Sequence, residues 1–471
     1  MKVKICNFGP IQNFECDLSK NIIAIYGNNN IGKSYSMQII YLLLKSIINC
    51  SPRIIRYNIS KDNVKCIEDT ISAFKKSEYV QREITDEINS WIENILTDNF
   101  GDNFLSSLKN SFPSYNSALR EDSCIILEYE CFSMRYLLRN EKFVIKNEEK
   151  SNQKFYLKET SSSYHKTRQI HEGRVVYVDK NNERNSDQVY STVLQILFDQ
   201  IDKVLICAQK DVSNIFFFPA SRSGIYNGMS AFAPIVAELA KSKSFFTKKI
   251  EFPGLTEPIS DYFIALSSIN EKSNQEFEDV YNELEKEILK GEILIDKKDS
   301  ALLYKNQDNL QFRMTEVSSM VSEIAPIVAF LKFIINARRN RVLYIDNRIF
   351  FNGKLGNGQT IVFIEEPEAH LHPSNQIKLI EILAQLLQKN VKIVFSSHSN
   401  YIFNKLNNMI LSKQMDYKLY EPILIMQEEN GSKSTIMQID QTGVIDDNFS
   451  DTAFQLYEER ENILEALNQE E

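Results

Sequence analysis

The sequence predicts an α/β fold: a mixed central sheet with flanking helices, an antiparallel β subdomain and a largely helical insertion. Three observations carry that expectation. The run Asn21-Ile22-Ile23-Ala24-Ile25-Tyr26 suits a strand buried on both faces, and a Gly/Asn loop and a helix over residues 33–48 follow it. From Thr360 the chain reads strand, loop, helix, strand, a βαβ pattern that places functional residues at the carboxyl ends of its strands. Between Cys124 and Lys180, stretches such as Arg174-Val175-Val176-Tyr177-Val178 alternate as an antiparallel meander would, with turns at Asn140, Asn147 and Asn181-Asn182.

At 471 residues the chain is too long for one compact core, so two or three lobes are expected. With 43% hydrophobic and 25% charged residues the composition is that of an ordinary globular protein. A net charge of -9 argues against coating nucleic acid by bulk electrostatics. The seven cysteines, Cys6, Cys16, Cys50, Cys66, Cys124, Cys131 and Cys207, show no CxxC pair and no metal-ligand spacing, and read as small hydrophobes in a reducing compartment. Met1-Lys2-Val3-Lys4-Ile5 runs straight into a strand-like pattern, and Lys45 and Ser46 break the longest apolar run. A cytoplasmic protein that makes no membrane contact is expected.

In chain order, residues 2–26 read as short strands parted by Asn7, Gly9 and Pro10. Residues 50–120 are polar, with helical spacing of Ile84, Ile88, Trp91, Ile92 and Ile95. Segment 150–168, rich in Ser, Lys and Thr, reads as a mobile loop. A second apolar strand, Ile215-Phe216-Phe217-Phe218, ends abruptly in Pro219-Ala220-Ser221-Arg222, which places Arg222 either in the site, at a partner or in a structural ion pair. The charged segment 270–290 predicts a helix of a few turns able to pair with another. Pro373 suits a first helical position, and Leu379, Ile380, Leu383 and Leu386 give that helix its buried face. Residues 420–445 read as a closing β-rich piece and the tail from Asp451 as an acidic helix. The expected division is 1–49, 50–210, 211–450 and 451–471.

Gly27-Asn28-Asn29-Asn30-Ile31-Gly32-Lys33-Ser34 fits the phosphate-binding pattern GxxxxGK[ST] at every specified position, with a strand before and a helix after. The glycines let backbone N–H groups turn inward around phosphate oxygens, Lys33 reaches the β and γ phosphates, and the Ser34 hydroxyl coordinates Mg²⁺. Tyr35 completes the candidate ATP-binding set. Ile361-Val362-Phe363-Ile364-Glu365-Glu366 places two acids at the end of a buried strand. Glu365 is the candidate Mg²⁺ ligand, directly or through water, and Glu366 the group that polarises the attacking water. His398, in Phe395-Ser396-Ser397-His398-Ser399, stands at the next strand end, where an imidazole can sense the γ-phosphate. Lys33, Glu366 and His398 form the candidate catalytic set.

His370 and His372 do not have the convergent, supported spacing of a zinc site and read instead as part of a subunit contact. Ser318 and Ser319 precede an apolar helix and make an anion-binding end or a simple cap. Arg338, Arg339 and Arg341, and Lys241, Lys243, Lys248 and Lys249, are two basic clusters that either contact nucleic-acid phosphates or form solvated faces.

These residues resemble the ABC-type AAA ATPases of the RecF/SMC/OLD group, and more narrowly the stand-alone AAA family ATPases of bacterial anti-phage operons. The resemblance rests on Ile5-Cys6-Asn7-Phe8-Gly9-Pro10-Ile11, the P-loop, Phe218-Pro219-Ala220-Ser221-Arg222, Ser318-Ser319-Met320-Val321-Ser322-Glu323, Glu365-Glu366-Pro367-Glu368-Ala369-His370-Leu371-His372-Pro373 and Ser397-His398-Ser399. It runs to about residue 410, with nothing specific over 50–210. It implies an ABC-type ATPase head that binds and hydrolyses ATP with Mg²⁺ and closes head to head as a homodimer or larger homo-oligomer. Ser318 and Ser319 would then be the signature contact to ATP held by the opposite subunit, and Ala369 and His370 part of the D-loop across the interface. The signature reads Ser-Ser-Met where transporters and repair ATPases have Ser-Gly-Gly. OLD nucleases and the Gabija ATPase carry a Toprim nuclease domain, whereas about 70 residues follow His398 here, so no built-in nuclease is expected. The resemblance implies a nucleotide-dependent sensor or scaffold controlling a separate effector, a nuclease or toxin, in anti-phage defence. A RecF-like DNA-repair ATPase is the alternative, and a transporter subunit is disfavoured by the long inserts.

Overall fold

The computed structural model describes the chain outside residues 51–54, 57, 130–131, 148–153, 161–166, 171–172, 183–184, 211, 231–254, 268, 270–272, 297–300, 336–341, 346–347, 352–357 and 471. Cys131 and both basic clusters, Arg338, Arg339 and Arg341 and Lys241, Lys243, Lys248 and Lys249, lie outside the described residues. The chain divides into two compact units, one of Met1–Gly9, Leu42–Ser213 and Val342–Gly358, the other of Pro10–Tyr41, Asn214–Arg341 and Gln359–Glu471.

In the first unit Lys2–Phe8 pairs antiparallel with Leu119–Glu128, and the meander continues through Phe132–Leu137 to Lys142–Asn147. There it departs from expectation. Lys154–Glu159 and Gly173–Val178 run parallel, in a separate sheet with Gln81–Glu83 and Thr167–Ile170. Side-chain alternation has the same period in both kinds of sheet, so the local sequence does not record which partner a strand takes. The strand Lys154–Glu159 also corrects the reading of 150–168 as a loop, since Phe155 and Leu157 are buried. Helices Lys61–Lys76, Thr85–Leu96 and Asn185–Lys210 close the core around Ile67, Phe74, Ile88, Trp91, Ile95, Val193 and Leu197. The long third helix is absent from the sequence reading. Its signal is Val189, Val193, Ile196, Leu197 and Ile201, buried at three- and four-residue intervals.

The second unit is a mixed sheet with flanking helices, as the sequence implies. Its strand order is Val212–Phe218, Gln359–Glu365, Val391–Ser396, Ile22–Tyr26, Tyr420–Glu428, Gly431–Ile436, Ile11–Asp17. The pairings of Gln359–Glu365 with Val391–Ser396, of that strand with Ile22–Tyr26, and of Ile22–Tyr26 with Tyr420–Glu428 are parallel; the hairpin to Gly431–Ile436 is antiparallel. Every residue of Ile22–Tyr26 and of Val391–Ser396 is buried, which explains their unbroken apolar character. The register sets Ile25 beside Ser396 and Ser396 beside Glu365, so three neighbouring strands end at one level.

Helices Lys33–Asn49, Ser319–Ala329, Pro373–Ala384 and Asn400–Leu411 bury apolar faces in this unit or its strands, and Gly291–Ile295, Leu302–Asn306 and Gln311–Arg313 add a small antiparallel sheet. The charged segment within 270–290 is not free to pair elsewhere. Its helical turns, Gln275–Phe277, Glu278–Glu283 and Leu284–Leu289, bury Phe277, Val280, Tyr281, Leu284 and Ile288 in the core. Among the described residues no helix is long and apolar enough to cross a membrane.

Trp91, the single tryptophan, lies in the same core as Ile95, which is wholly buried. Ile95→Ala is expected to lower the first unit's stability by about 2–5 kcal/mol, through lost transfer energy and a residual cavity. Urea unfolding followed by Trp91 fluorescence checks this through a lower midpoint.

Candidate functional site

The loop after Ile22–Tyr26 owes its shape to two glycines and one asparagine. Gly27 has φ +128°, Asn30 +64° and Gly32 +100°, all in the left-handed region that β-carbons disfavour. At Gly27 the space is closed as well: an added Cβ would come within 2.3 Å of the Ile425 carbonyl oxygen. Asn28, Asn29 and Asn30 are exposed, whereas Ile31 and Gly32 are buried and anchor the return into helix Lys33–Asn49. Lys33 folds back over the loop, its Nζ donating to the carbonyls of Asn28 at 2.6 Å and Gly27 at 2.9 Å. Burial pushes its ammonium down to about 8, against the opposing pull of the Glu366 and Glu368 carboxylates. Ser34 is exposed and Tyr35 half-buried on the first helical turn.

Glu365 ends its strand buried. Its Oε2 accepts a hydrogen bond from the Ala220 amide at 3.0 Å, while Oε1 is buried with no hydrogen-bond partner among the described residues. Burial raises its pKa, partly offset by the Ala220 amide and the nearby Ser34 and Gln38 side chains. A buried carboxylate with the Ser34 hydroxyl nearby suits a hard divalent cation. Oxygen donors of this kind are those Mg²⁺ takes. Among the described residues no group of three or more His, Cys, Asp and Glu could hold a metal ion.

Glu366 has φ +44°, an uncommon conformation for a side chain of its size. Its amide donates to the Ser396 carbonyl at 3.1 Å, and its own carbonyl accepts from the Ala369 amide at 3.1 Å, starting the turn 366–369. Glu368 ties that turn to the neighbouring strand end. Its Oε1 accepts from the Ser397 hydroxyl at 2.9 Å and the His398 amide at 2.6 Å, while Oε2 is buried without a partner among the described residues. Partial burial and the charge of Lys33 push the His398 imidazole below its ordinary range, with Glu366 opposing. Lys33, Glu366, Glu368 and His398 are therefore within electrostatic reach of one another.

The remaining candidates lie in the turn itself or on neighbouring helix ends. Ser318 and Ser319 are exposed at the start of helix Ser319–Ala329, where the Ser318 hydroxyl accepts from the Val321 amide at 3.4 Å. Ala369 is half-buried in the turn and His370 exposed, with φ +61°. The His372 ring caps the next helix, its Nδ1 accepting from the Ser374 amide at 3.3 Å.

The structure settles Arg222 as a buried ion pair that also borders the site. Its side chain is fully buried against Glu323, Nε to Oε2 at 3.2 Å. The guanidinium donates to the carbonyls of Glu365 at 2.7 Å, Pro219 at 3.2 Å and Glu366 at 3.2 Å. Glu368 and Glu323 carry no role in the sequence reading. An acid set inside the apolar run Val321-Ser322-Glu323-Ile324-Ala325 is the signal that could have found the second.

Residues 1–403 match the AAA ATPase domain family. No curated protein matches the chain. Among solved structures it is similar to an Smc head bound to the C-winged-helix domain of ScpA (12% identity, 93% of this chain and 98% of that one, TM-score 0.36). It is also similar to the SMC head domain from Thermotoga maritima (8% identity, 93% and 98%, TM-score 0.33). A third is the Smc head domain with an extended coiled coil, bound to the C-terminal domain of ScpA, from Pyrococcus furiosus (13% identity, 98% and 98%, TM-score 0.34).

A bound phosphate favours the Lys33 ammonium and raises its pKa above the free value of about 8. Nucleotide affinity is then complete below about pH 8 and falls as pH rises above it, toward a limit of about tenfold per pH unit. ADP titrations at pH 7.5, 8.5 and 9.5 in Mg²⁺-free buffer check this, with Lys33→Ala expected to show no measurable binding at any of the three.

Proposed function

This chain belongs to the AAA ATPase domain family, and on that premise we propose that it binds ATP with Mg²⁺ at the Gly27–Ser34 loop, hydrolyses it, and uses the ATP-bound state to build a dimer that controls a separate effector. One observation carries the reading: the register that ends Ile22–Tyr26, Val391–Ser396 and Gln359–Glu365 at one level, gathering Lys33, Ser34, Glu365, Glu366 and His398. In it the amides of residues 27–34 and the Lys33 ammonium hold the phosphates. Ser34 and the Oε1 of Glu365 hold Mg²⁺, which when bound neutralises charge on the phosphate oxygens. Glu366 orients the attacking water and accepts its proton. His398, kept neutral, offers a hydrogen bond to the γ-phosphate, and Glu368 holds its loop in place.

The exposed Ser318 and Ser319 support the dimer. They sit at a helix N-terminus, where backbone N–H groups and the helix dipole favour an anion, and they make only capping bonds within their own helix. In this reading their anion is the γ-phosphate held by the partner copy, with Ala369 and His370 lining the interface. Control of an effector in anti-phage defence rests on the family resemblance of the motifs.

Lys33→Ala is expected to abolish ATP binding. Glu366→Gln should retain it while lowering turnover at least a hundredfold, as loss of a positioned base does. Phosphate release and mass photometry with ATP check both: Glu366→Gln should accumulate as a dimer or larger assembly, and wild-type turnover by it would refute the assignment of Glu366. Copurification with tagged Glu366→Gln from native cells tests the effector. One dedicated nuclease or toxin, absent from the Lys33→Ala control, supports the reading; DNA with repair proteins in its place points to DNA maintenance.

A further inference from the structure

The backbone of the two acids at the end of Gln359–Glu365 is held from behind by the buried Arg222 side chain. Arg222 follows Ser221, itself at φ +54°, and opens helix Arg222–Ser230. Its guanidinium is spent on four carbonyls, those of Pro219, Glu323, Glu365 and Glu366, and on the Glu323 carboxylate. Glu323 is equally committed. Its Oε2 accepts from the Arg222 amide at 3.1 Å, and its Oε1 from the Ser223 amide at 3.1 Å and the Ser223 hydroxyl at 2.6 Å. The same turn supplies the Ala220 amide that fixes Glu365 Oε2. Glu323 lies one turn inside helix Ser319–Ala329, whose exposed end carries Ser318 and Ser319.

We propose that Arg222 and Glu323 form a positioning pair that joins the placement of the Ser319–Ala329 helix to the aim of the Glu366 carboxylate. The inference rests on the ATPase reading above and adds its regulation: the serine-bearing helix sets hydrolysis in its own subunit from behind, through the backbone that carries Glu365 and Glu366. The chemistry of the pair supports it. A planar guanidinium can grip two successive carbonyls in fixed relative orientation, which a lysine ammonium cannot. The carbonyl it grips at Glu366 belongs to a residue in a left-handed conformation that needs external support. Any displacement of Glu323 along its helix axis is passed to both carbonyls through one rigid group. ATP binding draws on other atoms, the loop amides, Lys33 and Ser34, so the pair governs turnover and leaves affinity alone.

The test is a kcat-against-affinity split in full-length protein. Arg222→Lys keeps the charge but loses the fork, and Glu323→Gln keeps the size while removing the ion pair and one of the two acceptor oxygens. Each is expected to lower kcat at least tenfold while the Kd for a non-hydrolysable ATP analogue moves less than threefold and thermal unfolding stays cooperative. Should Arg222→Lys fail to fold, Glu323→Gln carries the test. A kcat within twofold of wild type in a folded variant, or equal losses in kcat and affinity, would overturn the proposal. Parallel measurement of wild type and Glu366→Gln separates the two readings. Absence of turnover in wild type sinks the ATPase assignment, whereas normal turnover in Glu323→Gln with none in Glu366→Gln sinks only the positioning pair.

Discussion

The candidate site depends on one buried ion pair. Arg222 and Glu323 are both fully out of water, where an ion of either sign is costly unless it is paired and its hydrogen bonds are filled. Here the guanidinium donates to four carbonyls and both Glu323 oxygens accept hydrogen bonds. Removing one partner of such a pair costs about 3–5 kcal/mol, yet replacing both by apolar groups is often neutral, so stability alone does not explain an arrangement of this kind. What it does supply is orientation: a rigid, planar cation fixes the backbone behind Glu365 and Glu366, while the Ala220 amide of the same turn fixes a carboxylate in front.

Around that anchor the second unit is organised by register. The parallel pairings align three strand ends, and the loop following each end contributes a different chemistry: backbone amides and Lys33 from the first, His398 and its serines from the second, two acids from the third. Glu368 stitches the third loop to the second through Ser397 and the His398 amide. The loops could not be exchanged among the strands, because only Ile22–Tyr26 is followed by glycines at φ +128° and +100°, where backbone can wrap a phosphate.

Much of this was legible in the sequence, for identifiable reasons. The βαβ strands are short, wholly buried runs bounded by turn-formers, and the phosphate loop is a fixed local pattern in which each residue type has its own task. The first unit was less legible. The pairing of Lys154–Glu159 with Gly173–Val178 depends on tertiary contacts that no local period encodes. In the second unit, the charges on 275–289 hid the apolar stripe that buries it. In the site, Gly27, Lys33, Glu365 and Glu366 could be placed by motif, but Glu323 could not be assigned to Arg222. The two lie far apart in sequence, and a long-range ion pair leaves no trace in spacing.

Lys33 already has its hydrogen-bond needs partly met by the carbonyls of Gly27 and Asn28. An incoming ligand therefore competes with the loop itself, and the free energy of binding is a difference between two bonded states of one ammonium. A carbonyl dipole is a modest rival to a polyanion but a fair match for a neutral or singly charged molecule. The loop thus discriminates by charge before it discriminates by shape: a triphosphate easily outbids the backbone, whereas weak anions gain little for the exchange. Selectivity of this kind needs no additional residue, since the competitor is built into the same eight residues that hold the ligand.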